Sequence, residues 1–198
     1  MYLDNLINEV DITHKNLGKL IAVCVLSVKA HKFTFIVSPP GCGKSTAMDF
    51  VSKQTPDSWS PLNLSIASLG NKVDRLTSFR SGVFLDDLAV IQTDYGRRST
   101  VTTLSALCYN HRVEPSMIGS DFAIEDFYGS AIVGIQPRIL RNLMLEAEWG
   151  SHVKDKALRY YHLYRPDEPF IGLPPVKIDY GIDFDDVDFE PDIESSEY

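Results

Sequence analysis

Apolar positions recur at mixed spacings of three and four through the first thirty residues: Leu3, Leu6, Ile7 and Val10, then Leu17, Leu20, Ile21, Cys24 and Val25. That period puts them on one helical face and predicts two helices, with a break near Asp11-Ile12-Thr13-His14. The period then changes. Phe33 to Val37 is a short run of strand formers ending at Ser38-Pro39-Pro40-Gly41, so a buried strand should enter a tight loop there. A helix from Lys44 to about Lys53 follows, before the turn-rich Thr55-Pro56-Asp57-Ser58. Leu62 to Ala67 is a weaker strand candidate. Gly82-Val83-Phe84-Leu85 is a further strand, closed by Asp86-Asp87. The remaining pattern predicts a helix over about Arg98 to Tyr109 and a hairpin within Arg112 to Phe127, broken at Gly119-Ser120-Asp121. A strand over Ser130 to Ile135, a helix over Arg138 to Trp149 and a strand over Leu158 to Tyr164 complete it.

Strands alternating with helices predict an α/β fold with a mostly parallel, five-stranded sheet and helices on both faces. The chain divides into N-terminal helices (1–32), a core (33–170) and a low-complexity acidic segment (171–198). Composition agrees with one globular core: 44% hydrophobic and 23% charged over 198 residues, neither fibrous nor disordered. The longest apolar run, Leu20 to Val28, lies between two lysines and is too short to cross a bilayer. Nothing at Met1-Tyr2-Leu3-Asp4 resembles a secretory signal, and Cys24, Cys42 and Cys108 have no metal-ligand spacing. Reduced thiols and a cytoplasmic location, the host's if the chain is viral, are the expectation.

Charge changes the picture. The formal charge is −8, but nine of the 27 carboxylates lie in residues 179–198 with no Lys or Arg, leaving 18 acidic against 19 basic side chains elsewhere. The body is therefore nearly neutral, and overall acidity is no argument against a nucleic-acid partner. Tyr180, Phe184, Phe189 and Tyr198 interleave with the tail carboxylates. Such a segment should be disordered when free. It reads either as a solvating tail or, because it resembles the acidic-aromatic tails of phage and bacterial DNA-replication proteins, as a segment that would compete with DNA for a basic channel or dock on partners.

The strongest chemistry is Ser38-Pro39-Pro40-Gly41-Cys42-Gly43-Lys44-Ser45-Thr46. Glycines 41 and 43 let backbone N–H groups face phosphate oxygens, and a helix opening at Lys44 adds its positive dipole end. Pro40, Gly41, Cys42, Gly43, Lys44, Ser45 and Thr46 are the expected nucleotide-binding residues, with Lys44 on the β- and γ-phosphates and the Ser45 hydroxyl on Mg²⁺. Ser38 stands where the usual pattern has its first glycine. In the second element, Val83-Phe84-Leu85 would deliver two carboxylates to the same sheet edge: Asp86 for Mg²⁺ and Asp87 to polarise an attacking water. The plainer alternative is a solvated strand end capping Leu88-Ala89-Val90.

With these two motifs the sequence resembles the AAA+ ATPases, within the acid-bearing class of P-loop ATPases. Pro39-Pro40-Gly41-Cys42-Gly43-Lys44-Ser45 is similar to their P-P-G-x-G-K-[ST], and Leu85-Asp86-Asp87 to their hydrophobic-D-[ED]. The resemblance covers about residues 33 to 165. It implies a three-layer αβα P-loop core that binds and hydrolyses ATP with Mg²⁺. Gln136, ending Ala131 to Ile135, stands at the family's sensor position, where Asn, Thr or Ser is usual. Ala157-Leu158-Arg159 is similar to a segment whose arginine reaches a neighbour's nucleotide in helicases of the minichromosome-maintenance type. Arg159 is thus the arginine-finger candidate, with Arg138 and Arg141 behind it, and a finger implies a ring or helical homo-oligomer. Asn110 to Met117 lies where such helicases insert a pore hairpin, which makes His111 and Arg112, with Arg97-Arg98, candidate nucleic-acid contacts. No helical lid is evident after the last strand.

The reading is an oligomeric ATPase that remodels nucleic acid or a DNA-replication protein and contacts no membrane. Its small size suggests a phage, viral or plasmid origin. A nucleoside or nucleotide kinase and a nucleotide-gated adaptor with little turnover remain as alternatives.

Overall fold

The structure is a computed structural model that describes residues 3–62, 64, 66–114, 122–145, 155–164, 176, 182 and 184. In chain order its elements are α1 (Leu3–Thr13), α2 (Gly18–Lys29), β1 (Phe33–Val37), α3 (Lys44–Gln54), α4 (Ile66–Gly70), α5 (Val73–Leu76), β2 (Gly82–Leu85), α6 (Asp94–Asn110), β3 (Ser130–Ile135), α7 (Pro137–Leu145) and β4 (Leu158–Tyr161). The protein is α/β, and the described residues form four parallel strands in the order β2-β3-β1-β4.

Alternation along each strand sorts side chains between two cores. Phe33, Phe35 and Val37 of β1 join Val83, Leu85, Ala131, Val133 and Ile135 in a cluster closed by Val101, Leu104 and Leu107 of α6 and by Leu140 and Leu143 of α7. Ile36, Phe84 and Ile132 point the other way, into a cluster made with α1, α2 and α3. Helices thus cover both faces, which is why every residue of β1, β2 and β3 is buried and these strands read as continuous apolar runs. The one polar side chain inside β1, Thr34, bonds Ser27 of α2 at 2.9 Å, and Ser27 in turn donates to the Val23 carbonyl.

The expected fifth strand at Leu62 to Ala67 is not formed: α4 begins at Ile66 and Leu62 is 84% exposed. The pairing is made earlier and is only one residue long. Trp59 donates its amide to the Gly82 carbonyl (2.9 Å) and accepts from the Phe84 amide (2.8 Å) in a single parallel bridge. Pro61 has no amide to extend the ladder, so the edge stops there.

Helix α6 starts four residues before the expected Arg98, where Thr93 accepts from the Gly96 amide and caps the first turn. The hairpin after it is represented by an antiparallel bridge in which Val113 and Ile124 exchange two 2.9 Å hydrogen bonds. Its expected tip, with Gly119-Ser120-Asp121, lies outside the described residues, as does the expected end of α7 at Trp149. Strand β4 ends at Tyr161, three residues before the expected Tyr164.

The N-terminal helices contribute Leu6, Val10, Leu20, Ile21, Cys24 and Val25 to the second core. Three described residues of the acidic segment also meet that core: Val176 and Ile182 are buried and Phe184 packs against its edge. All three cysteines are unpaired and buried, and burial pushes the thiols of Cys24 and Cys108 up to about 12. Among the described residues, no helix is long and apolar enough to cross a membrane.

Candidate nucleotide site at the strand ends

Because all four strands run the same way, their C-terminal ends share one edge, and each delivers a polar residue just past its last position. The phosphate loop follows β1, Asp86 and Asp87 follow β2, Gln136 follows β3 and His162 follows β4. Ligands of parallel α/β sheets bind outside this edge.

The loop is shaped by two glycines with positive φ, 79° at Gly41 and 80° at Gly43. A side chain is strained in that region, whereas glycine enters it freely. A Cβ placed on Gly41 would meet nothing within 4 Å, so the loop stands open on that side. Gly43 is also the N-cap of α3 and supplies no side-chain hydrogen bond, leaving the first N–H groups of an 11-residue helix facing the loop. Ser38, at the start, is fully buried; its amide donates to the Ile135 carbonyl at 3.0 Å, continuing the β1–β3 ladder by one step. A serine therefore serves where a glycine was expected.

Lys44 is only 6% exposed, and its Nζ lies 3.5 Å from Oδ2 of Asp87. The same oxygen is 3.4 Å from Nε2 of Gln136, which donates to it. The other oxygen, Oδ1, accepts the Ala89 amide at 2.9 Å and caps the 3₁₀ turn Leu88–Val90. The cap expected before Leu88-Ala89-Val90 is thus formed by Asp87. The cap fixes the carboxylate, and its free edge faces Lys44 and Gln136.

Ser45 and Asp86 are exposed and border one cavity of about 190 Å³ with Asp49 and Ser60. No group of three or more His, Cys, Asp or Glu side chains suited to a metal ion occurs among the described residues. A hydroxyl and a carboxylate are hard oxygen donors and suit a hard cation that brings its own waters and phosphate oxygens, as Mg²⁺ does.

Two contributors were not singled out in the sequence. His162 is buried, its amide donates to the Val37 carbonyl at 2.9 Å, and its Nε2 lies 3.0 Å from the Cys42 carbonyl. The imidazole N–H thus ties β4 to the middle of the phosphate loop. Burial lowers the His162 pKa, only partly opposed by the bond to Cys42. Gly134 is the second. A Cβ there would fall 1.8 Å from the Asp86 carbonyl and 2.9 Å from Lys44 Cε, so only glycine lets β3 pass between the lysine and the acid-bearing turn. A glycine inside a strand of branched residues is the signal that could have found it.

The other expected residues lie elsewhere. Arg159 is paired in register with Phe35, in mid-strand, and lines a cavity with His31, Lys32 and Tyr109 away from the phosphate loop of its own chain. Arg138 and Arg141 are exposed in the first half of α7, beyond Gln136. Arg97 is paired with Asp94 at 3.0 Å, and with Arg98 it borders a 270 Å³ cavity between α6 and α7. His111 and Arg112 follow α6 at the opposite end of the sheet. There His111 Nδ1 bonds the Phe127 carbonyl (2.7 Å), and Arg112 meets Glu114 (2.6 Å) and Glu125 (3.4 Å). Thr46 lies in the first turn of α3, and Pro40 and Cys42 are in the loop itself. No family model matches the chain, and no curated protein is a significant match to it.

Proposed function

We propose that the chain is an ATP-hydrolysing, AAA+-like enzyme with a three-layer P-loop core, acting as an oligomer on nucleic acid or on a DNA-replication protein. One observation carries the hydrolytic reading: Lys44, Asp87 and Gln136 converge within 3.5 Å at the open end of the phosphate loop.

Each residue has a task that follows from its surroundings. The loop amides and the start of α3 hold the phosphate chain, and Lys44 neutralises its terminal oxygens. Ser45 and Asp86 would hold Mg²⁺, which supplies charge neutralisation between the outer phosphates. An arriving phosphate would draw the Lys44 charge from Asp87. The carboxylate, still held by Ala89, is then left to orient and polarise a water, with Gln136 beside it. A small-molecule kinase often manages without such a group, its acceptor being a bound hydroxyl rather than water; the acid and amide next to the lysine favour hydrolysis over that alternative. Arg159 points to a cavity of its own chain distant from the loop, so a finger role for it requires a second copy.

Phosphate release from Mg²⁺-ATP tests the reading. Asp87→Asn should bind ATP with near-normal affinity and lose turnover, and normal turnover in that variant would remove Asp87 from the chemistry. Mixing Asp87→Asn with Arg159→Ala subunits should restore part of the activity if the arginine acts in trans.

A further inference from the structure

Two cavities open at the end of the sheet opposite the phosphate loop, and His31 lines both. The larger, the cationic cavity, measures about 1180 Å³. Its charged lining among the described residues is Lys29, Arg75 and Arg80 against Asp57, with Ile182 and Phe184 in the apolar part of the wall. The smaller, of about 620 Å³, starts from the same turn and runs along β4, where Lys32, Lys156 and Arg159 meet one described carboxylate, Asp155. Backbone bonds fix the turn that joins them: the His31 amide donates to the Val28 carbonyl at 3.1 Å and the Lys32 amide to the Ser27 carbonyl at 3.0 Å.

Among the described residues each cavity holds three cations to one acid, in a body with 19 basic against 18 acidic side chains. Positive charge is thus concentrated on one path. The His31 imidazole feels both halves of it: burial holds its pKa below the ordinary value, and Arg80 and Lys29 of the larger cavity and Lys32 of the smaller push the same way. Arg75 donates to the Ser58 carbonyl at 2.8 Å and Arg80 lies over the Tyr128 ring at 4.8 Å, so both guanidinium groups are positioned in advance. Aromatic surface lies beside the charge. Tyr109 and Tyr161 line the smaller cavity and are 54% and 52% exposed, and Lys156 Nζ lies 5.3 Å from the centre of the Tyr109 ring. Cations and open aromatic rings along one path suit a chain of spaced phosphates with unpaired bases. A compact anion would use one cavity and no rings.

We propose that the two cavities, joined at His31, form one binding path for single-stranded nucleic acid, with its phosphates on the cations of both cavities and its bases against Tyr109 and Tyr161. Guanidinium groups pair with phosphate oxygens through two parallel hydrogen bonds, and the lysines add point charges along the same line. A duplex keeps its bases stacked on one another and cannot offer their faces to the tyrosines. The path lies away from the phosphate loop, so a strand and a nucleotide can occupy the chain together. The proposal deepens the nucleic-acid half of the proposed function and rests on that half alone.

The test uses the full chain without ATP, which keeps its failure separate from a failure of hydrolysis, and follows a fluorescent oligothymidylate by anisotropy. Arg75→Gln/Arg80→Gln in the larger cavity and Lys32→Gln/Lys156→Gln in the smaller should each weaken binding about ten-fold at low salt. Each pair should also reduce the slope of log affinity against log salt by about 1 to 2. Tyr109→Ala/Tyr161→Ala should weaken binding about five-fold or more and leave that slope unchanged. Asp57→Asn/Asp155→Asn should instead tighten binding, a gain that a folding defect does not produce. A duplex of the same length and a polyglutamate of equal charge should both bind more weakly than the oligothymidylate. Indifference to either cation pair or to the tyrosines would overturn the path and leave nucleic-acid binding standing, whereas no binding by the native chain would overturn both. A duplex or a polyglutamate that binds as tightly would also overturn the proposal.

Discussion

The two ends of the sheet are built in opposite ways. At the C-terminal end, the candidate nucleotide site is made of backbone and short-range sequence: two glycines with positive φ, a helix start, and polar residues each placed one or two positions past a strand. At the N-terminal end, the cationic cavity is made of side chains from α2, the turn after α3, the segment around α5 and the distant acidic segment. The first is rigid because the ladder continues into it, through Ser38 to Ile135 and His162 to Val37. The second depends on charges that salt can screen. Substitutions at one end should therefore act on turnover and those at the other on polyanion binding.

The largest expected effect is at Lys44. Lys44→Ala removes a nearly buried cation that faces both the phosphate path and Asp87. Loss of such a preorganised charge should lower the ATPase rate by about 10² to 10³ or more. Oligothymidylate binding without ATP should be unaffected. A variant that lost both would show the two ends to be one site.

Gly134→Ala comes next. The added methyl cannot coexist with the Asp86 carbonyl at 1.8 Å, and that atom is backbone, so β3 must move away from β2 or the acid turn must shift. The expected cost is about 3 kcal/mol in urea unfolding, at the upper end of overpacking effects. Turnover should fall further than stability alone explains. Unchanged stability would mean that β3 is more yielding than its buried register suggests.

His162 gives a smaller, pH-dependent effect. His162→Ala removes the bond to the Cys42 carbonyl and leaves a buried acceptor unpaired, costing about 1–3 kcal/mol. Gln at this position should recover part of it. The native pKa is lowered from 6.5, so below that value the unfolded chain binds the proton that the folded chain refuses. Stability is then complete above about pH 6.5 and falls as the pH drops toward the depressed native pKa. Thermal unfolding of His162→Gln should show a shallower loss between pH 7 and 5. His31, lowered in the same direction, leaves some slope in the variant. Equal slopes in the two proteins would show that His162 does not carry the effect.

What was legible beforehand follows the same division. The loop from Pro39 to Thr46 and the pair Asp86-Asp87 could be read because their chemistry is local: glycine, lysine and hydroxyl at fixed offsets, and acids after an apolar run. The order of strands was not, since placing β3 between β1 and β2 depends on pairing residues 98 positions apart, as Phe33 and Ala131, and 48 apart, as Gly82 and Ser130. His162 was hidden for that reason; its partner, Cys42, is 120 residues away. The strand expected at Leu62 to Ala67 failed because apolar character alone does not supply amides to pair, and the chain spends its one edge bridge at Trp59. The cationic cavity had no motif at all, because its cation Lys29 is far in sequence from Arg75 and Arg80.

The smallest expected effect belongs to Arg112, the residue that sequence position made a candidate nucleic-acid contact. Its guanidinium lies between Glu114 and Glu125, with all three side chains more than half exposed. Exposed pairs contribute little, so Arg112→Ala should change stability by about 0.5 kcal/mol or less. More to the point, a cation flanked by two carboxylates presents no net positive charge to a phosphate backbone, whereas Arg75 and Arg80 line a cavity in which Asp57 is the one acid among the described residues. Oligothymidylate affinity should thus be nearly indifferent to Arg112→Ala and sensitive to Arg75→Gln/Arg80→Gln. The reverse ranking would move the nucleic-acid surface from the cavity to the hairpin.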